Sequence, residues 1–302
     1  MIEKLVDIGT KKLEVNIYGT GMPIVVIETG MGCSLYDWYK ITYEISKRTT
    51  VLTYHRSGYG ESTLGKEERS TKQIAEDLNK LLEKEVINSP IILVGHSFGG
   101  LCVQHFASLF SEKVLGMILV DSNSIDQYKM DELGYELPSF RTKLSKNNIL
   151  ENWKQLSLKS SVQLETLISP KLLPEQMAYT EEIQKCILKF EINPNMYCVM
   201  ASELELMSHS GQEIRKNFKI LDVPLKVLGR DIALAVKWNV DMGISQNEAI
   251  DFETLWHSLV MEEAKISTKG QFIDVKGSKH SIYRTNPETV IKAINDVIEE
   301  SE

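Results

Sequence analysis

The sequence predicts an α/β protein, a doubly wound and mostly parallel eight-stranded sheet interrupted by a helical insertion. Three observations carry that expectation. Short apolar runs alternate with segments of helical spacing up to Val120 and again from Pro224 onward, the rhythm of parallel strands joined by crossover helices. Between residues 124 and 216 the strand-like runs vanish. Finally, the apolar run 90–94 breaks into Gly95-His96-Ser97-Phe98-Gly99-Gly100, a sharp strand-to-helix turn with glycines where two backbones must pass closely.

The elements follow in order. Residues 5–8 and 13–18 read as a hairpin punctuated by Gly9. Gly19-Thr20-Gly21 turns the chain into the apolar run 23–28, which suits a strand buried on both faces. Residues 36–48 have helical spacing and 50–54 form the next strand. Residues 71–86 place Ile74, Leu78, Leu81 and Leu82 on one stripe of a helix. Strand 91–94, helix 101–113 and strand 116–120 complete the first half. In the insertion, helical stretches at 149–167, 175–191 and 197–208 are punctuated by Pro138, Pro170, Pro174 and Pro194. Strand 224–228, helix 247–266, strand 271–275 and a closing helix 288–300 follow. The domain reading is a core of residues 1–123 and 217–302, with residues 124–216 as a helical cap over the strand ends.

Composition narrows the function classes. The 302 residues are 42% hydrophobic and 25% charged, enough for one large domain with an insertion. A net charge of −8 argues against nucleic acid or an anionic membrane as a partner. Cys33, Cys102, Cys186 and Cys198 lack metal-type spacing. No pair of histidines has ligand spacing with a carboxylate, so neither metal nor cofactor is expected. The N-terminus has no apolar leader and no run of 18 apolar residues occurs, so a cytoplasmic protein without a membrane span is expected.

Ser97 occupies the central position of a G-x-S-x-G pattern, which exposes one side chain at a strained turn. A serine there needs a base within hydrogen-bond reach to act as a nucleophile. His280 stands just past the last strand, before Pro287-Glu288-Thr289-Val290, at the sheet end where such a fold gathers reactive groups. His96 lies inside the turn and suits packing, as does His105 on the following helix. His209 and His257 have no special placement, and His55 opens a loop.

With these pieces in place, the chain resembles the α/β-hydrolase superfamily over nearly its whole length. The resemblance rests on Gly95 to Gly100, on Tyr54-His55-Arg56-Ser57-Gly58-Tyr59-Gly60-Glu61-Ser62, similar to that family's D-R-x-G-x-G-x-S loop, and on the terminal His280. It implies Ser97 as nucleophile, His280 as base and acid, and a carboxylate orienting the imidazole. It also implies an oxyanion hole of the Met31 and Phe98 backbone N–H groups, although Thr29-Gly30 stands where the family has His-Gly. His55 replaces the usual Asp of the D-R loop, read as a structural change. The carboxylate has two candidates: Asp121 at the end of strand 116–120, which we favour, and Asp231 after strand 224–228.

The implied reaction is cofactor-free hydrolysis of a small-molecule ester, lactone or other acyl bond. Aminopeptidase and carbon–carbon bond hydrolase chemistry use the same constellation, and a small-molecule receptor with vestigial hydrolysis is the alternative from another class. Trp38, Phe98, Trp153, Met196 and Tyr197 serve equally as pocket lining or as core.

Overall fold

The computed structural model describes residues 2–301. Eight strands form a single sheet: β1 (Ile2–Asp7), β2 (Lys12–Tyr18), β3 (Val25–Glu28), β4 (Val51–Tyr54), β5 (Ile91–His96), β6 (Val114–Val120), β7 (Leu221–Gly229) and β8 (Ser267–Asp274). Their spatial order is β1-β2-β4-β3-β5-β6-β7-β8. β1 and β2 pair antiparallel, as does β2 with β4, and every later pairing is parallel. The central strands are buried throughout, which is why β3, β4 and β5 read as continuous apolar runs instead of alternating ones.

Strand periodicity sorts the core into two layers, because successive side chains point to opposite faces. Val26, Leu52, Leu93, Leu119 and Val227 face one way and join Leu78 and Leu81 of α2 (Thr71–Lys84 when α1 is Tyr39–Ser46) and Phe106 of α3 (Phe98–Leu109). Ile27, Val51, Val94, Ile118 and Leu228 face the other way, onto Ile41 and Ile45 of α1 and the closing helix.

Six helices intervene between β6 and β7: α4 (Gln127–Glu136), α5 (Pro138–Lys143), α6 (Lys146–Ser157), α7 (Ser161–Ile168), α8 (Glu181–Glu191) and α9 (Pro194–Asn217). The single stretch expected over 149–167 is two helices, since Ser160 caps a new one with Gln163 in a capping box. Thr180 likewise starts α8 after a 3₁₀ turn at Pro174–Ala178. The stretch expected over 197–208 extends to 24 residues, opened by Asn193 as N-cap and Pro194 at the first helical position. After β7 come α10 (Ile232–Asp241), α11 (Gln246–Glu262), α12 (Ile282–Thr285) and α13 (Pro287–Glu300). The helix expected over 247–266 ends early and tightens into a 3₁₀ turn at Glu263–Ile266.

Five side chains weighed as pocket lining lie in packed clusters. Trp38 is fully buried and stacks on Tyr283 at 4.4 Å. Phe98 packs with Leu101, Cys102 and Met207, while Met196 and Tyr197 pack with Tyr59 and Phe190, against which Trp153 also rests.

Candidate active site

β5 delivers the chain to Ser97 with φ 51° and ψ −124°, a left-handed conformation a non-glycine residue adopts only when its surroundings impose it. The surroundings here do. Ser97 N–H donates to the Val120 carbonyl at 3.2 Å, and the Ser97 carbonyl accepts from Gly100 and Asn123 at 2.9 and 3.0 Å. A Cβ at Gly99 would sit 2.3 Å from the Glu28 carbonyl oxygen and 2.4 Å from that of Thr29. The glycine therefore lets α3 begin directly against the end of β3. The Ser97 side chain is left partly exposed.

The loop after β8 brings His280 Nε2 to 3.0 Å from Ser97 Oγ. On the far side of the ring, Nδ1 lies 2.6 Å from Asp121 Oδ2. Asp121 ends β6 in another left-handed conformation, φ 42°, with its N–H donating to the Leu228 carbonyl at 2.7 Å. Its carboxylate is completely buried and well supplied with donors. Arg230 Nη1 donates to Oδ2 at 2.8 Å, and Trp256 Nε1 and the Arg230 backbone N–H donate to Oδ1 at 3.0 and 3.3 Å. Burial alone would raise the Asp121 pKa; the Arg230 cation, then the His280 contacts and the Trp256 donor outweigh it and hold the carboxyl well below the usual range.

Asp231, the other candidate carboxylate, faces a different task. Its Oδ1 accepts from Ala233 and Leu234 as the N-cap of α10, and its Oδ2 accepts from Gly277 at 2.9 Å. None of its hydrogen bonds reaches His280. His96 packs between the rings of His280 and Trp38. Its Nε2 meets the His280 carbonyl at 3.2 Å, while burial and then the neighbouring His280 push its pKa down to about 3. A neutral ring there braces the backbone of His280. His105 is buried against Thr71 at 2.7 Å.

Met31 lies in the loop after β3 and Phe98 opens α3. Among the described residues neither backbone N–H has an acceptor in the protein. Thr29 and Gly30, just before Met31, pass their carbonyls to Arg56 Nη1 and Nη2 at 2.6 and 3.1 Å. His55, where the family places Asp, bridges Glu14 Oε2 at 2.8 Å and the Leu35 N–H at 3.0 Å and stacks on Phe190, a structural use of the ring.

A cavity of about 1390 Å³ opens beside His280. Met130, Leu204 and Met207 line it from the inserted helices, and Leu234, Phe252 and Trp256 from the helices after β7. Among the described residues no three His, Cys, Asp or Glu side chains form a group able to hold a metal ion. No described helix is long and apolar enough to cross a membrane.

Sequence reasoning passed over Arg230, Glu253 and Trp256. Arg230 sits beside Asp231 in the chain, yet its guanidinium turns to Asp121 and, at 2.6 Å, to Glu253. Trp256 was one more apolar position in a helical stretch, and its indole N–H had no visible partner until the topology laid α11 across the end of β6.

Comparison with known proteins agrees with this architecture. Residues 23–148 match the family described as alpha/beta hydrolase fold. A protein of Gibberella zeae named "AB hydrolase superfamily protein" is 22% identical over 299 residues, covering 91% of this chain and 86% of that one. A protein of Hormonema carpetanum named "Probable transporter efuK" is 30% identical over 144 residues, 45% of this chain; the chain spans only 20% of that protein's length. Among solved structures, a thermophilic esterase from Thermogutta terrifontis superposes over 100% of this chain and 99% of its own, with a TM-score of 0.65 at 18% identity. The mostly parallel eight-stranded sheet, the serine turn after β5 and these matches lead to one conclusion: the chain has the α/β-hydrolase fold, and its residues 23–148 match the family of that description.

Proposed function

We propose that the chain is a serine hydrolase that cleaves an ester of a small apolar molecule through an acyl-enzyme. One observation carries the reading: an unbroken run of contacts from Ser97 Oγ to His280 Nε2 at 3.0 Å and from His280 Nδ1 to Asp121 Oδ2 at 2.6 Å. Asp121, kept ionised, selects the tautomer with the proton on Nδ1 and leaves Nε2 free to accept. Ser97 Oγ attacks the ester carbonyl and its proton passes to Nε2. The carbonyl oxygen becomes an anion facing the Met31 and Phe98 N–H groups. Collapse breaks the carbon–oxygen bond, and Nε2 returns the proton to the departing alcohol. Water then repeats the sequence on the acyl-serine and releases the acid.

The cavity supports the apolar part of the reading. Met, Leu, Phe and Trp side chains form much of its walls, with charged ones such as Asp131, Lys237 and Arg284 among them, and Tyr135 and Trp238 stand 70% and 55% exposed along it, apolar surface that a bound substrate would cover. The inserted helices act as the cap, supplying one wall.

A fluorophosphonate probe is expected to label Ser97 in the folded protein, and Ser97→Ala to take no label and turn over no ester. Across p-nitrophenyl esters, kcat/KM is expected to rise at least about tenfold from acetate to octanoate as methylenes enter the apolar cavity. A folded protein that takes no label at Ser97 would sink the serine-hydrolase reading. A preference for acetate would sink the apolar-substrate reading alone.

A further inference from the structure

Glu203 is a carboxylate in the wrong place for a solvated helix. It lies on α9 along the stripe Met196, Val199, Met207 and Ile214, and it is fully buried. Its partner is Arg56, itself 1% exposed. Arg56 Nε and Nη2 grip the two Glu203 oxygens at 2.8 and 3.2 Å. The remaining donors go to Glu28 Oε1 at 2.7 Å, the Thr29 carbonyl at 2.6 Å and the Gly30 carbonyl at 3.1 Å. A guanidinium has five N–H donors in a rigid plane, and here each has an acceptor. Tyr59 completes the link: its hydroxyl donates to Glu203 Oε2 at 2.6 Å and accepts from the Gly32 N–H at 3.1 Å.

We propose that Glu203 is a positioning residue for the oxyanion hole: through Arg56 and Tyr59 it fixes the Thr29–Gly32 loop, and with it the Met31 N–H, so that α9 is a fixed part of the catalytic apparatus and not a lid that lifts away. The proposal rests on the serine-hydrolase reading of Ser97. Its physical core is peptide geometry. The Gly30 carbonyl and the Met31 N–H belong to one planar trans unit and point in opposite directions. Anchoring the oxygen on Arg56 therefore aims the N–H, and a cation on the carbonyl polarises the same peptide into a better donor. On the other side of Met31, Gly32 stands at φ +66°, and a Cβ there would meet Met200 of α9 at 2.9 Å. The loop is thus held by α9 on both sides of the donor. Without Glu203 the Arg56 fork keeps one carboxylate and two unanswered donors, and nothing specifies its tilt against the two carbonyls.

The test compares wild type, Glu203→Gln, Tyr59→Phe and the double variant Arg56→Met/Glu203→Met, which removes the Arg56–Glu203 pair together and leaves Glu28 its hydrogen bond from the Tyr54 hydroxyl. Active sites are counted by end-point fluorophosphonate labelling. Removing an oxyanion donor outright costs about 10²–10³ in kcat, so a misaimed one is expected to cost about 10- to 100-fold per labelled Ser97 in Glu203→Gln and the double variant, and less in Tyr59→Phe. KM should stay within about threefold, and affinity for an aryl boronic acid, which mimics the tetrahedral adduct, should fall in step with kcat. Variants that fold, label and keep wild-type kcat and boronate affinity overturn the proposal; should Glu203→Gln not fold, the other two variants decide it. Wild type that takes no label and turns over no ester overturns the hydrolase reading, and the role of Glu203 with it.

Discussion

Two arginines flank Ser97, and each lies between two carboxylates. Arg56 bridges Glu28 and Glu203 on the side of the loop after β3. Arg230 bridges Asp121 and Glu253 on the side of His280. The arrangement answers one problem in both places, since an arginine without its counter-charges could not be held so far from water. What differs is how the remaining contacts are used. Arg56 turns its spare donors on backbone carbonyls and is sealed from solvent. Arg230 is 11% exposed at its side chain, lies 4.5 Å from the centroid of the Trp256 ring and borders the cavity. The first sets backbone geometry; the second sets the charge state of a side chain. The same motif does two jobs because its neighbours differ, and each job can be broken separately.

The largest effect belongs to the carboxylate on the Arg230 side. Asp121→Asn keeps the shape of the side chain but lets the amide favour the wrong imidazole tautomer, and turnover is expected to fall about 10⁴-fold. Steady-state rates per labelled Ser97 read this directly. A loss under tenfold would mean that Arg230 and Asp121 form a structural pair and that the comparison is misdrawn.

Next come the arginines themselves, which should differ in stability. Arg56→Met strands Glu28 and Glu203 where water cannot follow, at an expected cost of about 3–5 kcal/mol. Arg230→Met strands Asp121 and Glu253 beside the cavity, where water can replace the lost donors, at an expected cost of about 1–3 kcal/mol. Urea unfolding of both variants measures the difference. Equal costs would show that exposure to the cavity does not distinguish the two sites.

The sequence made much of this legible, and the limits have physical causes. β3, β5 and β6 were readable because strands covered on both faces must be apolar, and the turn at Ser97 because only glycine tolerates the contact at Gly99. Asp121 and Asp231 stayed open because both follow strands that end beside the loop of His280, and chain position does not state which way a carboxylate turns. A cue for Asp231 was present: an Asp directly before the helical run Ile232–Asp241 is an N-cap signature. Glu203 also left a cue, an acidic residue interrupting an apolar stripe on α9. Its partners are 147 and 144 residues away in the chain, which periodicity cannot see. Trp38 and Phe98 proved to be core because apolar character marks burial without saying whether protein or ligand covers the side chain.

Glu263 shows what becomes of a buried carboxyl with no arginine. It is 3% exposed, accepts from Gln104 Nε2 at 3.3 Å, and its Oε2 has no partner among the described residues. Burial pushes its pKa well above the ordinary carboxylate value, the opposite of Asp121. The folded protein thus binds a proton that the unfolded chain releases above about pH 4, and stability falls as pH rises from there toward the raised folded value. Glu263→Gln removes that slope. Relative to wild type it should gain about 1–2 kcal/mol at neutral pH, with the gain fading below about pH 4. Thermal unfolding across pH tests this, and a gain independent of pH would show that the carboxyl is ionised in the fold.

The smallest effect is expected at Asp231, and it bears most directly on which carboxylate serves His280. Its oxygens are committed to Ala233, Leu234 and Gly277. Those backbone donors hold its pKa below the ordinary value: the Gly277 N–H lowers it most, ahead of the opposing effect of burial. Asp231→Ala removes a helix cap, a loss of about 1 kcal/mol, and leaves the contacts among Ser97, His280 and Asp121 in place. Turnover per labelled Ser97 should therefore stay within about twofold of wild type while the melting temperature drops by a few degrees. The pair of measurements separates capping from catalysis, because a cap acts on the folded fraction and an orienting carboxylate acts on the rate of every folded molecule. If Asp231→Ala instead lost orders of magnitude in turnover at full labelling, Arg230 would be holding Asp121 away from the chemistry, and Arg230 would be purely structural.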